Sequence, residues 1–269
     1  MINKALGMVE SASEHAPLID NMLEFCHWFM LVLFVGWTAF FIYMLFRFHK
    51  SRQPKAQHLG LRSHASSHIE FMVVLVEAII LLGFAIPLWG KRVNEIPKDA
   101  ASGDYLTVKV VGQQYFWNFH YAGKDGIFGR QKIENMSATN EMGLDYKDAA
   151  AKDDIVAKNE FHIPVNKPVV LEISSKDVIH NVSLQHMRVG QDAIPGMKVP
   201  VWFKPVKVGS YELICGQLCG ASHSLMKGLL VVDTEEGYKE WIAEMESLNA
   251  PAPSAETPAV PAPAAPNHG

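Results

Sequence analysis

The stretch Cys215-Gly-Gln217-Leu-Cys219-Gly-Ala-Ser-His223-Ser-Leu-Met226 places two thiols, an imidazole and a thioether within twelve residues, at the spacing C-x3-C-x3-H-x2-M. Soft sulfur donors beside imidazole select copper over hard cations such as Mg or Ca. One cysteine with His and a weak axial Met makes a mononuclear copper site. A second cysteine four residues on lets two sulfurs bridge two metals. A second imidazole would complete such a site, and the candidate is His180, 35 residues before Cys215 in Lys176-Asp-Val-Ile-His180-Asn. The cysteine pair alone also suits a structural disulfide in an oxidising compartment, tetrahedral zinc with the two histidines, or the thiol pair of a copper chaperone. Disulfide and zinc give Met226 no role, and a chaperone wants a thioredoxin-like βαβ setting that the flanks do not show. Cys26, in an apolar stretch without a ligand-type neighbour, reads as a small buried hydrophobe.

Upstream and downstream of this loop the hydrophobic pattern has period two. Strands are predicted over Leu106–Val111, Tyr115–Tyr121, Val169–Ile173, Val178–Leu184, Val199–Phe203, Ser210–Ile214 and Gly228–Val232, with Gly and Pro between them as at Ile194-Pro-Gly196. Many short strands joined by turns predict a sandwich or barrel. Residues 123–159 are polar and charged, with Asp145, Asp148, Asp153 and Asp154 close together, and read as a surface insertion that is partly ordered at most. A final helix is predicted after Asp233 or Thr234 as its cap, with Tyr238, Trp241, Ile242, Met245 and Leu248 on one apolar stripe. From residue 250 the chain is rich in Ala and Pro and reads as a disordered tail.

The first third has a different character. Phe25–Phe46 is 22 residues without a fixed charge, and Phe71–Trp89 is 19 residues interrupted only by Glu77. Both lengths suit transmembrane helices. The connecting loop carries Arg47, Lys50, Arg52, Lys55 and Arg62 and no acid, which places it in the cytoplasm and both termini on the other side. The first span lacks a charged n-region and a small-residue cleavage site, unlike a signal peptide. The loop histidines His58, His64 and His68 read as part of a polar loop. Across the whole chain 24 basic and 28 acidic residues give a net charge of −4, with no basic stripe, which excludes nucleic acid as a partner. Three cysteines are too few for a disulfide framework, and no Cys-x-x-Cys-His marks covalent haem.

In this order the hairpin, the aromatic strand, Asp177-Val-Ile-His180, Gln191-Asp-Ala-Ile-Pro-Gly196 and the Cys215–Met226 loop resemble subunit II of haem–copper cytochrome c oxidases. The resemblance implies a membrane-anchored all-β protein. Residues 1–23 would be an extracytoplasmic segment, 24–90 a two-helix transmembrane hairpin, 91–249 a cupredoxin-like β-barrel and 250–269 the tail. It implies a binuclear copper centre, CuA, in which Cys215 and Cys219 bridge both coppers and His180 and His223 bind one each. Met226 would be a weak ligand of one copper, and Gln217 would bind the other through its backbone carbonyl. Electrons would pass from a cytochrome c at Tyr115 and Trp117 to the copper pair, then to haem in subunit I, where O2 is reduced and protons are moved. Glu70 matches a proton-uptake glutamate near the cytoplasmic start of the second helix. Glu77, seven residues on, shares its face. The implied location is an integral membrane protein, bacterial rather than mitochondrial, with the copper domain on the periplasmic side.

Two departures stand out. The family usually has Glu where this chain has Gln217, whose side chain helps hold Mg or Mn against subunit I. Hard cations prefer carboxylate, so the Mg or Mn site loses a ligand here. The family usually presents Trp where this chain has Tyr115, which alters the donor surface and points to a membrane-tethered cytochrome or a respiratory supercomplex. An acidic patch in 123–159 could steer a basic cytochrome. The alternatives on the same residues are the CuA subunit of a nitric oxide reductase and a membrane-anchored copper chaperone.

Overall fold

The computed structural model describes residues 2–55, 58, 60, 63–94 and 105–249. A short helix α1 (Ile2–Ala5) precedes α2 (Ala16–Arg47), which Pro17 opens in the first turn, where a missing N–H costs nothing. After the loop come α3 (Ala65–Ile80), one π turn over Leu81–Ala85, and α4 (Ile86–Asn94), which together make a single 30-residue helix. At about 1.5 Å per residue, α2 and this second helix each exceed a hydrocarbon core of roughly 30 Å. Phe34, Phe41, Leu75 and Leu82 are exposed along them, as expected of helices whose surroundings are lipid and partner protein. Both helices outrun the apolar stretches read from sequence, so the expected boundary at residue 23 falls inside α2. Lys50, Arg52 and Lys55 sit in the loop, while Arg62 and the tail 250–269 lie outside the described residues.

Ten strands and a helix follow: β1 (Leu106–Gln113), β2 (Phe116–Tyr121), β3 (Ile155–Lys158), β4 (Glu160–Pro164), β5 (Val169–Ser175), β6 (His180–Leu184), β7 (Val189–Ala193), β8 (Val199–Phe203), β9 (Gly209–Cys215), β10 (Lys227–Asp233) and α5 (Glu235–Asn249). They form two five-stranded sheets, β3-β2-β1-β5-β8 and β4-β10-β9-β6-β7. The pairs β1–β5 and β4–β10 are parallel and the rest antiparallel. Along β1, β6 and β10 alternate residues are buried, β2 is buried throughout from Trp117 to Tyr121, and Trp117, Phe119, Phe161, Leu171, Ile173, Leu213 and Leu230 fill the space between the sheets. This is the cupredoxin-like β-domain expected, on a two-helix apolar hairpin.

Helix α5 is capped by Thr234, whose Oγ accepts the Gly237 N–H at 3.1 Å. Trp241, Ile242 and Met245 pack on the barrel, with Trp241 stacked on His162 at 4.5 Å. Leu248 departs from the expected stripe and is exposed.

The segment 123–159 corrects the sequence reading. Its last residues are β3, paired with β2, and Met142, Leu144 and Ala151 form a small buried cluster under it. Its four clustered aspartates are held by partners within the domain. Asp154 is buried against His120 at 2.7 Å, Asp153 accepts the Lys124 and Asp125 amides, Asp148 accepts the Arg130 amide, and Asp145 pairs with Lys132 at 2.8 Å. None of these four acids is fully exposed, and Asp145 and Asp154 are buried.

The N-terminal end of α2 and the C-terminal end of α4 are clamped to the β-domain. Arg188, in the left-handed region at φ 53°, holds Asp20 of α2 through Nε and Nη2 at 2.7 and 3.2 Å, a bidentate charge-assisted pair. Ser13 bridges to Pro205, the Ala12 amide donates to the His186 carbonyl, and the Val206 amide returns to the Ala12 carbonyl. On the second helix, the Arg92 guanidinium lies 4.4 Å from the Trp202 ring and donates to the Trp202 carbonyl, while Trp202 Nε1 donates back to the Arg92 carbonyl. The β-domain is thus held at a fixed height over the helices.

His15 is buried in this clamp beside Trp202. Burial first, and then the Arg92 charge, push its imidazole down to about 4 from the usual 6.5, against smaller opposing pulls from the Arg188 backbone and Glu14. A depressed histidine stabilises the fold above pH 6.5, and that contribution is lost as pH falls toward 4. Amide hydrogen exchange over residues 9–16 is therefore expected to accelerate between pH 7 and pH 5 relative to the strands. His15→Phe is expected to abolish the acceleration, and equal acceleration in that variant would rule out His15 as its cause.

Candidate metal centre

Strand β9 delivers Cys215 at its end, next to β6, because Val182 faces Cys215 across the ladder. The loop from Cys215 then returns on itself: the Cys215 amide donates to the Met226 carbonyl, and the Gly216 amide to the Asn181 carbonyl. His180 is the first residue of β6, so imidazole and thiol meet at one end of the second sheet. The donor atoms of His180, Cys215 and Cys219 all lie within 4.8 Å of one another. Each thiol has its own imidazole: Cys215 Sγ is 3.8 Å from His180 Nδ1, and Cys219 Sγ is 3.6 Å from His223 Nδ1. Met226 Sδ stands 3.7 Å from Cys219 Sγ, and Cys215 Sγ is 3.1 Å from the Gln217 carbonyl. His180, Cys215, Cys219 and Met226 are buried, His223 is half-buried and Gln217 is exposed. Both cysteines are free thiols.

His180 is held from behind, its Nε2 donating to Asp177 Oδ1 at 2.8 Å. A carboxylate on the far nitrogen fixes the tautomer and leaves Nδ1 as the donor toward the sulfurs. Burial pulls the Asp177 carboxyl upward, but hydrogen bonds from the Gln114 amide, His180 and the Val178 amide outweigh it and hold it below its ordinary value. The Cys219 thiol is pushed up to about 11 by burial and by neighbouring Cys215.

Tyr115 is half-buried and lies over the loop, so close that a Cβ on Gly220 would come within 2.6 Å of its hydroxyl. Trp117 is fully buried, with its ring 5.9 Å from the His180 ring, edge to face. It therefore offers no surface to an external donor, which corrects its expected place beside Tyr115 at the point of electron input. Glu70 is not brought to this cluster. It lies in the first turns of α3, 22 residues before Arg92 and so roughly 33 Å along the helix from the clamped end. His58, His64 and His68 do not gather either, since the cluster at His180 is the one metal-competent group among the described residues. Sequence reading assigned no role to Gln114 or to Asp177, although a carboxylate three residues before a ligand-type histidine is a usable signal.

Residues 106–234 match the family described as cytochrome C oxidase subunit II, periplasmic domain. The alternative cytochrome c oxidase subunit 2 of Bradyrhizobium diazoefficiens is 30% identical over 234 residues, covering 86% of this chain and 81% of that protein. The chain belongs to the cytochrome c oxidase subunit II family. Cytochrome c oxidase subunit 2 of Cereibacter sphaeroides is 29% identical over 238 residues, covering 81% of this chain and 75% of its own. That of Thermostichus vulcanus is 26% identical over 257 residues, covering 89% and 78%. Coverage this wide takes in the hairpin as well as the β-domain. The family implies copper, and the donors fit it: two buried thiols, each facing an imidazole, with a thioether at their side and no carboxylate among the facing atoms.

Proposed function

We propose that this subunit II chain receives electrons from a cytochrome c, or from a membrane-tethered cytochrome, at a binuclear copper centre and delivers them to haem in subunit I. Oxygen reduction and proton translocation follow in that partner. The observation that carries the reading is the pairing of each thiol with a separate imidazole inside one buried cluster. A single-metal site would need one such pair. Cys215 and Cys219, with His180, His223, Met226 and the Gln217 carbonyl, would hold the two coppers. Once bound, such a pair would supply one-electron transfer, cycling between a mixed-valence and a fully reduced state. The protein's part is rigidity: β6, β9 and the loop that closes from Cys215 to Met226 hold the donors in place, so little rearrangement accompanies each electron.

Tyr115, half-exposed above Gly220, is the proposed contact for the donor, with Trp117 buttressing His180 from inside. The positive loop between the spans supports a β-domain on the periplasmic side of a bacterial inner membrane. Glu70 then lies near the cytoplasmic surface, where it can pass protons to subunit I. Glu77 is exposed on the isolated helix, and a carboxyl at that depth faces protein or water. The relatives named above are oxidase subunits, which favours oxygen over nitric oxide as the final acceptor.

The test is copper loading of the full chain in detergent. A purple protein with two coppers sharing one unpaired electron in its EPR spectrum is expected. A colourless Cu(I) form, or a one-copper signal, would overturn the electron-transfer role in favour of copper delivery.

A further inference from the structure

The donors of the centre come from two separate pieces of chain. His180 follows the turn after β5, and Cys219 sits in the loop after β9. A third piece, the turn Gln114–Tyr115 between β1 and β2, touches both. We propose that Gln114, acting through Asp177, is the positioning residue that fixes these two halves of the metal centre relative to each other. This rests on the copper reading above and adds to it a residue outside the ligand set.

The contacts form one chain. Gln114 Nε2 donates to the Cys219 carbonyl at 2.6 Å. The backbone N–H of the same residue donates to Asp177 Oδ2 at 2.7 Å. The other carboxylate oxygen, Oδ1, accepts from His180 Nε2 at 2.8 Å and from the Val178 amide at 2.7 Å. Cys219, Gln114, Asp177 and His180 are thus linked end to end, and the two outer members are donors of the cluster. The backbone is shaped to permit this. Gly220 has φ +139°, and a Cβ there would lie 2.8 Å from Gln114 Nε2 and 2.6 Å from the Tyr115 hydroxyl. A glycine next to the second cysteine lets the Gln114–Tyr115 turn settle onto the loop.

An exposed turn residue with a merely local role would bond its own turn or water. Gln114 instead spends its side-chain donor on the carbonyl of a ligand-bearing residue and its backbone donor on the carboxylate that orients a ligand. The run thus ties two buried donors, His180 and Cys219, together through two surface side chains. Their loss reaches the metal through geometry, as outer-shell changes do, at about 10–100-fold in metal affinity.

The experiment uses the full chain in detergent, loaded with copper, as wild type, Gln114→Glu, Asp177→Asn and the double variant. Gln114→Glu keeps the length and the backbone N–H but replaces the donor facing the Cys219 carbonyl with an acceptor. Asp177→Asn can still accept from one of its two main partners but not from both. Each single variant is expected to lose copper to a competing chelator about 10–100-fold more readily, and to shift the reduction potential and copper hyperfine couplings. Thermal unfolding of the copper-free chain should stay unchanged in Gln114→Glu. The double variant should be little worse than either single one, because both changes break the same link. Wild-type copper retention, potential and hyperfine couplings in Gln114→Glu would overturn the proposal, and so would fully additive losses. If Asp177→Asn does not fold, Gln114→Glu decides alone. A wild-type chain that binds copper singly would overturn the binuclear reading, while the chelator comparison still decides for or against Gln114.

Discussion

Cys219→Ser is expected to convert the proposed two-copper centre into a one-copper site and to cut turnover of the assembled oxidase below about a hundredth, beyond the 10–100-fold typical of changes outside the ligand set. The geometry makes Cys219 the junction. Its sulfur lies 3.6 Å from His223 Nδ1 and 3.7 Å from Met226 Sδ, and within 4.8 Å of the donors on Cys215 and His180. A serine oxygen there is hard and poorly matched to copper, so His223 and Met226 lose the atom that ties them to the other pair. EPR separates the outcomes: one unpaired electron shared by two coppers in the parent, and a single-copper pattern in the variant. A retained two-copper spectrum would remove Cys219 from the bridge. The same residue sets a pH dependence. In the copper-free chain its thiol is pushed up to about 11 by burial and Cys215, so copper must displace a proton, and uptake should strengthen as pH rises. The raised value also means that the protonated thiol stabilises the copper-free fold fully below the usual cysteine range. That contribution is lost as pH climbs toward 11.

What the sequence made legible was the chemistry of the loop and the strands with strong alternation. The spacing from Cys215 to Met226 named the donor types, and His180 was reachable because a second imidazole was wanted. All seven expected strands exist in the structure, but β3, β4 and β7 were not expected. Each has a physical reason. Strand β3 follows a run of acids that ordinarily signals solvent, yet those acids bind backbone amides, His120 and Lys132. Strand β4 carries Glu160 and His162, a charged pattern made tolerable because His162 is held between Glu160 and Asp233 and stacked on Trp241. Strand β7 holds Gly190 and Asp192 and is short, pairing with β6 at the edge of its sheet. Trp117 shared its expected role with Tyr115 only through nearness in sequence. Tyr115 lies in the turn before β2 and stays half-exposed, whereas Trp117 is on the strand and packs into the core. The Arg188–Asp20 clamp and the Gln114–Asp177 link join residues far apart in sequence, so no local pattern could announce them.

Gly112→Ala is expected to lower both the stability of the β-domain and its hold on copper, although Gly112 binds nothing. It lies on β1, opposite Trp117 on β2 and Ser175 on β5, and its missing side chain is the space that the His180 ring occupies. A Cβ there would stand 2.9 Å from His180 Cδ2, 3.1 Å from His180 Cγ and 3.1 Å from Trp117 Cζ3. Two rigid rings in a packed core cannot both withdraw without cost, and overpacking of this kind costs about 1–3 kcal/mol. The melting temperature should fall by about 2–4 °C for each of those kcal/mol in a domain of this size. The ring with less to lose is His180, at the start of its strand, so it should tilt. Tilting draws Nε2 off Asp177 and Nδ1 away from Cys215, and copper loss to a chelator should rise about tenfold, at the lower end for a change outside the ligand set. Gly190→Ala is the control: a Cβ on β7 would meet nothing within 4 Å, so neither quantity should move. Loss of stability with copper retention intact would mean that Trp117 yields instead and that Gly112 serves packing alone. Loss of both in Gly112→Ala, with Gly190→Ala silent, would establish that the bare backbone of β1 sets the orientation of the imidazole.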